Sequence, residues 1–382
     1  MKNFTFHNPT KIEFGTEKEK QIGSFLAADG VKKALLVYGS ERIKKDGLFG
    51  TVAKSLSENG IEFVEFGGIV SNPVLSKVYD GIEVAKANKV DAVLSVGGGS
   101  VLDSSKAIAA GALYEGDVWD FFTWKTIIQK ALPVYDVITL AATGSEMNAG
   151  AVVTNDMTRQ KFFIQAPCLY PRVSIINPEL QKSVSKDYLV YSAADVIAHS
   201  IEGYFTVSYH PDIIASYIET NIKTIIQTTE TLIANPDDYD SRAEFAWAAT
   251  QALNGTTYVG VEGVGYPNHM IEHSLSALYN VAHGAGLSVV MPAWMKWYMG
   301  QNEKQFERFA KNVFGKTSAK DGIEALEVWF DKIGTPTRLS QFGIKETEID
   351  YVVENACENA KIFGLAGMYT PKVLKDILKL AL

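Results

Sequence analysis

The stretch Ser95–Ala112, SVGGGSVLDSSKAIAAGA, decides the fold. It continues an apolar run, Ala92–Val96, of the kind buried inside a parallel sheet. Gly97, Gly98 and Gly99 follow, then Ser100 and a helical period to about Ala112. Strand, glycine turn and helix are the parts of a phosphate cradle. Backbone N–H groups without side chains turn inward on an anion, and the helix N-terminus adds partial positive charge. The pattern is neither G-x-G-x-x-G nor G-x-x-x-x-G-K-[ST]. A tight turn that needs glycine for packing is the competing account. Asp103 falls in the first turn of the helix, where it either serves the ligand or caps the helix.

Outward from this stretch the chain alternates. Before it come short strands in Phe4–Phe14 around Pro9, a helix over Glu17–Ala28 and a strand over Ala34–Tyr38. A helix over Gly47–Asn59, a strand over Ile61–Phe66 and a helix over Pro73–Lys89 complete that side. After it come a strand over Val134–Leu140, a hairpin of Ala151–Thr154 with Lys161–Gln165, and a last strand at Val173–Ile176. This alternation predicts a parallel sheet with helices on both faces. Thr139, Thr143 and Ser145 lie at the carboxyl end of a strand, where ligands bind in open α/β sheets. They are placed to hydrogen-bond a cofactor, or they form an ordinary Ser/Thr turn.

From about Ser185 helical periods dominate, and they continue to Lys379. The expected division is an α/β nucleotide-binding domain over 1–182 and an all-α metal-binding domain over 183–382.

The helical half carries a second cluster. Pro267–Gly286 reads PNHMIEHSLSALYNVAHGAG and holds three of the chain's six histidines, His269, His273 and His283. His199 ends a separate phrase four residues after Asp195. Asp195 and His199 are i,i+4 on a helix, so both side chains leave one face, and His269 and His273 repeat the geometry. A lone carboxylate in the apolar stripe around Asp195 is costly, and a bound cation resolves that cost. One carboxylate with imidazoles and no thiolate suits Fe(II), Zn(II), Ni(II) or Mn(II). A single histidine or aspartate taken alone is more often a hydrogen-bonded core residue or half of an ion pair.

Composition excludes some classes. The 382 residues are 47% hydrophobic and 21% charged, with a net charge of −8, an ordinary globular balance without the excess of basic charge that nucleic-acid binders show. Two cysteines, Cys168 and Cys357, make no disulfide framework. The opening MKNFTFHNPTKIEFG has no long apolar core, and no run approaches the roughly 18 apolar residues of a membrane span. A cytoplasmic protein without membrane contact is expected.

In combination the chain resembles the iron-containing (group III) alcohol dehydrogenase family. The resemblance is carried by SNP at Ser71–Pro73, VGGGSVLDSSK at Val96–Lys106 and ATGSEMN at Ala142–Asn148. AADVIAHSIEGYF at Ala193–Phe205 and NHMIEHSLSALYNVAHGAGLSVVMP at Asn268–Pro292 carry it further. YGSERIKKDG at Tyr38–Gly47 and GDVWDFF at Gly116–Phe122 look like the butanol dehydrogenase and aldehyde reductase branch. The resemblance implies a Rossmann-like N-terminal domain and an all-α C-terminal domain, an architecture shared with dehydroquinate synthase. It implies one divalent metal, Fe(II) or Zn(II), held by Asp195, His199, His269 and His283. His273 then lies in the active site outside the metal shell, with a proton relay as its expected role. Gly97, Gly98, Gly99 and Ser100 would take the pyrophosphate, Asn72, Thr139, Thr143 and Ser145 would line the nucleotide, and Lys161 would face the cofactor.

The branch inclines the cofactor to NADP. Where close relatives read YGGGS, however, this chain has Gly39, Ser40 and Glu41 followed by Arg42. Glu41 suits the ribose hydroxyls of NAD and repels a 2′-phosphate, whereas Arg42 would pair with one. Short or medium aliphatic alcohols and aldehydes are the expected substrates, and a homodimer the expected assembly. The alternatives are a glycerol dehydrogenase-like polyol oxidoreductase, or a dehydroquinate synthase-like lyase with a Glu in place of the Asp ligand.

Overall fold

Strands β1 (Lys11–Phe14), β2 (Lys33–Tyr38), β3 (Glu62–Phe66), β4 (Ala92–Gly98), β5 (Val134–Leu140) and β8 (Val173–Ile176) form one sheet. All its pairings are parallel, and its order is β1-β8-β5-β4-β2-β3. Strands β6 (Gly150–Asn155) and β7 (Gln160–Gln165) make a separate two-stranded sheet. The intervening helices are α1 (Ile22–Ala28), α2 (Arg42–Lys45), α3 (Leu48–Glu58), α4 (Leu75–Asn88), α5 (Gly99–Ala112) and α6 (Trp119–Phe122). These coordinates are a computed structural model and describe Met1–Leu382.

The strand sequences explain the sheet. β2, β4 and β5 are nearly continuous apolar runs, and a parallel sheet buries both faces of such strands. Alternate residues Ala34, Leu36, Leu94, Val96, Tyr135 and Val137 pack with Ile22, Leu26, Val52 and Leu56 of α1 and α3 in one core. The intervening residues, among them Leu35, Val37, Val93 and Asp136, point to the opposite face. They are fully buried too. The register slips between Gly97 and Gly98, where β4 gives way to α5.

One expectation needs correction. Strand structure expected across Phe4–Phe14 is confined to Lys11–Phe14. Pro9 has no N–H to give to a ladder, and pairing starts with the Lys11 N–H donating to the Arg172 carbonyl. The chain forms two compact units. One unit comprises His7–Thr158 and Phe162–Ser183, and the other comprises Met1–Phe6, Arg159–Lys161 and Val184–Leu382.

The second unit is helical: α7 (Lys186–Thr206), α8 (Asp212–Ala234), α9 (Tyr239–Ala252), α10 (Pro267–Tyr279), α11 (His283–Tyr298), α12 (Glu303–Phe314), α13 (Ala319–Ile333), α14 (Ile349–Ile362) and α15 (Pro371–Lys379). Ser185 caps α7 by accepting from the Tyr188 N–H, and Pro267 opens α10 at its first turn. Asn280 ends α10 in the left-handed conformation. No helix is long and apolar enough to cross a membrane.

Candidate active site

Three helices bring the metal candidates together inside the helical unit. α7 presents Asp195 and His199 one turn apart, α10 presents His269, and His283 is the first residue of α11. His199 Nδ1, His269 Nε2 and His283 Nε2 stand 3.4, 3.6 and 3.7 Å from the same oxygen, Asp195 Oδ1. The His199 and His269 rings stack with centroids 4.4 Å apart. Asp195, His199 and His269 are buried, yet Asp195 Oδ1, His199 Nδ1 and His269 Nε2 have no hydrogen-bond partner. Buried polar atoms are almost always paired. Three orphaned donor-type atoms converging on one point fit a divalent cation with nitrogen and oxygen ligands.

The charges agree with this arrangement. Burial opposes ionisation of Asp195, but His199, His269 and His283 around it hold its pKa well below the usual carboxylate range. Burial pushes His199 down to about 3, so it is neutral and free to coordinate. His269 goes the other way, to about 9: burial disfavours its charge, but the neighbouring Asp195 and Glu202 carboxylates outweigh that, so a cation there would displace a proton from Nε2.

Two carboxylates that the sequence reading passed over complete the site. Glu202, fully buried on α7, accepts from His269 Nδ1 at 2.8 Å, from the His269 N–H at 3.0 Å and from Asn268 Nδ2 at 3.1 Å. Glu272, fully buried on α10, pairs with His283 Nδ1 and accepts from the Ser276 hydroxyl. Each carboxylate fixes a tautomer that leaves Nε2 facing Asp195, the usual support for a metal-bound histidine. Gly286 is required here, because a Cβ would lie 2.7 Å from a Glu272 carboxylate oxygen. The signal in sequence is a Glu three residues after a ligand His on each helix, inside an apolar phrase.

His273 is buried and donates Nδ1–H to the Lys161 carbonyl at 2.9 Å, which leaves Nε2 unprotonated when the ring is neutral. Burial, then the Lys161 charge, holds its pKa well below the ordinary histidine value. Lys161 Nζ lies 3.4 Å from His283 Nδ1 and 3.8 Å from Glu272 Oε2. Tyr266 meets His269 edge-on at 5.7 Å and Phe363 meets His273 at 5.5 Å.

The phosphate candidates lie in the α/β unit. Gly98 ends β4 and α5 begins at Gly99, with no side chain capping its first turn. That leaves backbone donors of the kind that bind anions. A Cβ on Gly99 would stand 2.5 Å from the Thr143 side chain, so only glycine lets the Thr143 loop close over the turn. Thr139 and Thr143 are partly buried, and Asn72 is buried in the left-handed conformation at φ 52°.

Asp103 and Ser145 link α5 to the loop after β5 and to β6. Ser145 Oγ donates to Asp103 Oδ1 at 2.7 Å, and Asp103 Oδ2 accepts from the Val152 N–H at 3.0 Å. Both side chains are committed to tying the loop to α5.

Glu41 follows the end of β2 and is exposed. It accepts from the Tyr38 hydroxyl at 3.1 Å and pairs with Lys44 at 3.2 Å. Arg42 turns away, pairing with Asp46 at 3.1 Å and donating to the Ser183 carbonyl at 2.7 Å. Gly39 carries a turn, its carbonyl accepting from the Gly68 N–H, and Ser40 Oγ accepts from the Arg42 N–H. Phe121 and Phe122 are core residues, with Trp119 stacked on Phe122 at 5.0 Å.

Comparison with known proteins gives a consistent answer. The iron-containing alcohol dehydrogenase profile matches residues 9–178, and the Fe-containing alcohol dehydrogenase C-terminal profile matches 189–382. The chain is 36% identical to a probable NADH-dependent butanol dehydrogenase of Bacillus subtilis, covering 100% of this chain and 99% of that one. It is 31% identical to an NADPH-dependent aldehyde reductase of Escherichia coli, covering 94% of each. The crystal structure of NADH-dependent butanol dehydrogenase A from Thermotoga maritima superposes with a TM-score of 0.97 at 49% identity, over 100% of this chain and 99% of that one.

Proposed function

This chain belongs to the iron-containing alcohol dehydrogenase family, and we propose that it interconverts short or medium aliphatic aldehydes and primary alcohols of the butanal–butanol type. It is a nicotinamide-dependent oxidoreductase that uses a metal. The convergence of Asp195, His199, His269 and His283 on one point, with three buried atoms lacking partners, carries the reading. In it these four residues hold the metal, Fe(II) or Zn(II). When bound, the cation supplies Lewis acidity to the substrate oxygen, and the nicotinamide supplies or takes the hydride.

The chain's own residues do the rest. Asp195 contributes the one negative charge among the four ligands. Glu202 and Glu272 hold His269 and His283 in the tautomer with Nε2 presented. His273 relays a proton at Nε2, since its Nδ1–H is committed to the Lys161 carbonyl. Gly97, Gly98, Gly99 and Ser100 receive the pyrophosphate, with Thr143 over the turn and Asn72 and Thr139 beside the nucleotide. Lys161 stands against Glu272 and His283 and supports the reacting end of the site.

The cofactor in this reading is NADH. Glu41 is exposed beyond β2, and a carboxylate there disfavours a 2′-phosphate, while Arg42 is engaged elsewhere. The relatives named for NADH use agree. The assembly is a cytoplasmic homodimer, supported by β1 standing at the sheet edge, paired on one side with β8.

The test is loss of nicotinamide absorbance with butanal, run with NADH and NADPH on protein stripped of metal and reloaded with Fe(II) or Zn(II). Metal-dependent consumption with NADH preferred is expected. No consumption under any combination would overturn the alcohol dehydrogenase reading.

A further inference from the structure

Lys106 is 0% exposed, which is rare for a lysine. It sits on α5 two turns past the phosphate turn and reaches no solvent. Its ammonium, with three donors, lies within hydrogen-bond distance of five oxygens: the Ser145 carbonyl at 2.7 Å and hydroxyl at 2.8 Å, the Asn148 carbonyl at 2.9 Å and side-chain oxygen at 3.3 Å, and the Gly150 carbonyl at 2.9 Å. All five acceptors are uncharged, and all lie on one short loop, Ser145–Gly150. Burial pulls the lysine down to about 8, while Asp103 on α5, Asp136 on β5 and Glu146 on the loop draw its charge back.

A buried cation needs a structural reason, since desolvation disfavours it. The loop it holds carries Thr143 at its head, and Thr143 Oγ1 accepts from the Ser145 N–H at 3.2 Å. Thr143 is also the side chain that a Cβ on Gly99 would strike. Asp103, one turn earlier on the same helix face, holds the same loop through Ser145 and Val152. The i,i+3 pair Asp103 and Lys106 therefore sets how closely the Thr143 loop approaches the first turn of α5.

We propose that Lys106 is the positioning residue of the nucleotide site, fixing the Thr143–Gly150 loop against the glycine turn and so setting cofactor affinity without touching the cofactor. This rests on the nicotinamide-dependent reading given above. A point cation suits the task because one ammonium, with three donors, gathers oxygens of Ser145, Asn148 and Gly150 around a single point.

The experiment compares Lys106→Met, Gly99→Ala and the parent holoenzyme. It measures NADH dissociation by fluorescence titration, KM for NADH and kcat with butanal, bound metal, and helicity by circular dichroism. Lys106→Met is expected to raise the NADH dissociation constant and KM at least about tenfold, with kcat at saturating NADH, metal content and helicity kept. Gly99→Ala is expected to weaken NADH binding as well. Weakening by Gly99→Ala with Lys106→Met unchanged would overturn the positioning role while leaving the nucleotide site standing. No weakening by Gly99→Ala would remove the nucleotide reading, and the inference with it. A parallel fall of kcat, metal content and helicity in Lys106→Met would make the lysine general fold support and overturn the proposal. If Lys106→Met does not fold, Asn148→Ala decides: a rise of about threefold in KM for NADH alone supports the role, and an unchanged KM overturns it.

Discussion

The metal corner and the Thr143 loop solve opposite problems with similar groups. Each buries a lysine beside acids. At the metal corner Lys161 stands against a carboxylate, Glu272, while Asp195 Oδ1, His199 Nδ1 and His269 Nε2 are left without partners. At the loop Lys106 gives its protons to neutral oxygens, and Asp103 accepts from Ser145 on the loop and from Val152 on β6. One region is built to need something from outside, and the other is built to be complete so that its neighbouring backbone stays in place. A ligand site made from side chains declares itself by unpaired atoms, whereas one made from backbone declares itself by how firmly its walls are tied.

That contrast can be broken. Asp195→Ala should have the largest effect, removing bound metal and lowering turnover to below about one thousandth of the parent, while NADH titration stays near normal. Metal content and NADH affinity measured on the same sample decide it. Loss of both ligands together would erase the distinction between the two regions.

His273→Ala should slow turnover about a hundredfold with metal retained, because it removes the proton acceptor at Nε2 and no ligand. Unchanged kcat would take His273 out of the reaction. Glu272→Gln should weaken metal affinity by about 10- to 100-fold, read by competition with a chromophoric chelator, with helicity unchanged. Equal effects on metal and on NADH would show that Glu272 is not specific to its corner. The smallest change is Glu41→Ser, which should shift the NADH-to-NADPH preference by about tenfold toward NADPH without altering metal content. A ratio that does not move would hand cofactor choice to some other group.

The sequence showed the metal candidates because their geometry is local. Asp195 with His199, and His269 with His273, share helix faces by spacing alone. Glu202 and Glu272 lie in the same phrases and were passed over, because a Glu on a helix is ordinarily solvated. Only tertiary packing buries both and aims them at His269 and His283. The start of α11 was hidden for a related reason. Gly284 and Gly286 would end many helices, but here they are helical, and their bareness admits the Tyr191 backbone and the Glu272 carboxylate. Strands β2, β4 and β5 were plain as continuous apolar runs. The bonds that Asp103 makes with Ser145 and Val152 were not legible, because these partners are remote in sequence.

The three residues Arg159–Lys161 carry a consequence for modularity. They come from the β7 hairpin, between segments of the α/β unit, yet they pack with the helices. They supply the carbonyl that accepts the hydrogen bond from His273 Nδ1–H and the ammonium facing Glu272. A helical half expressed from Val184 onward would keep all four candidate metal ligands and lack both of these groups. The two halves are therefore not interchangeable parts: recombining them between relatives at the visible seam would pair a metal site with another protein's lysine. Any graft that respects the chemistry has to carry the hairpin with the helices.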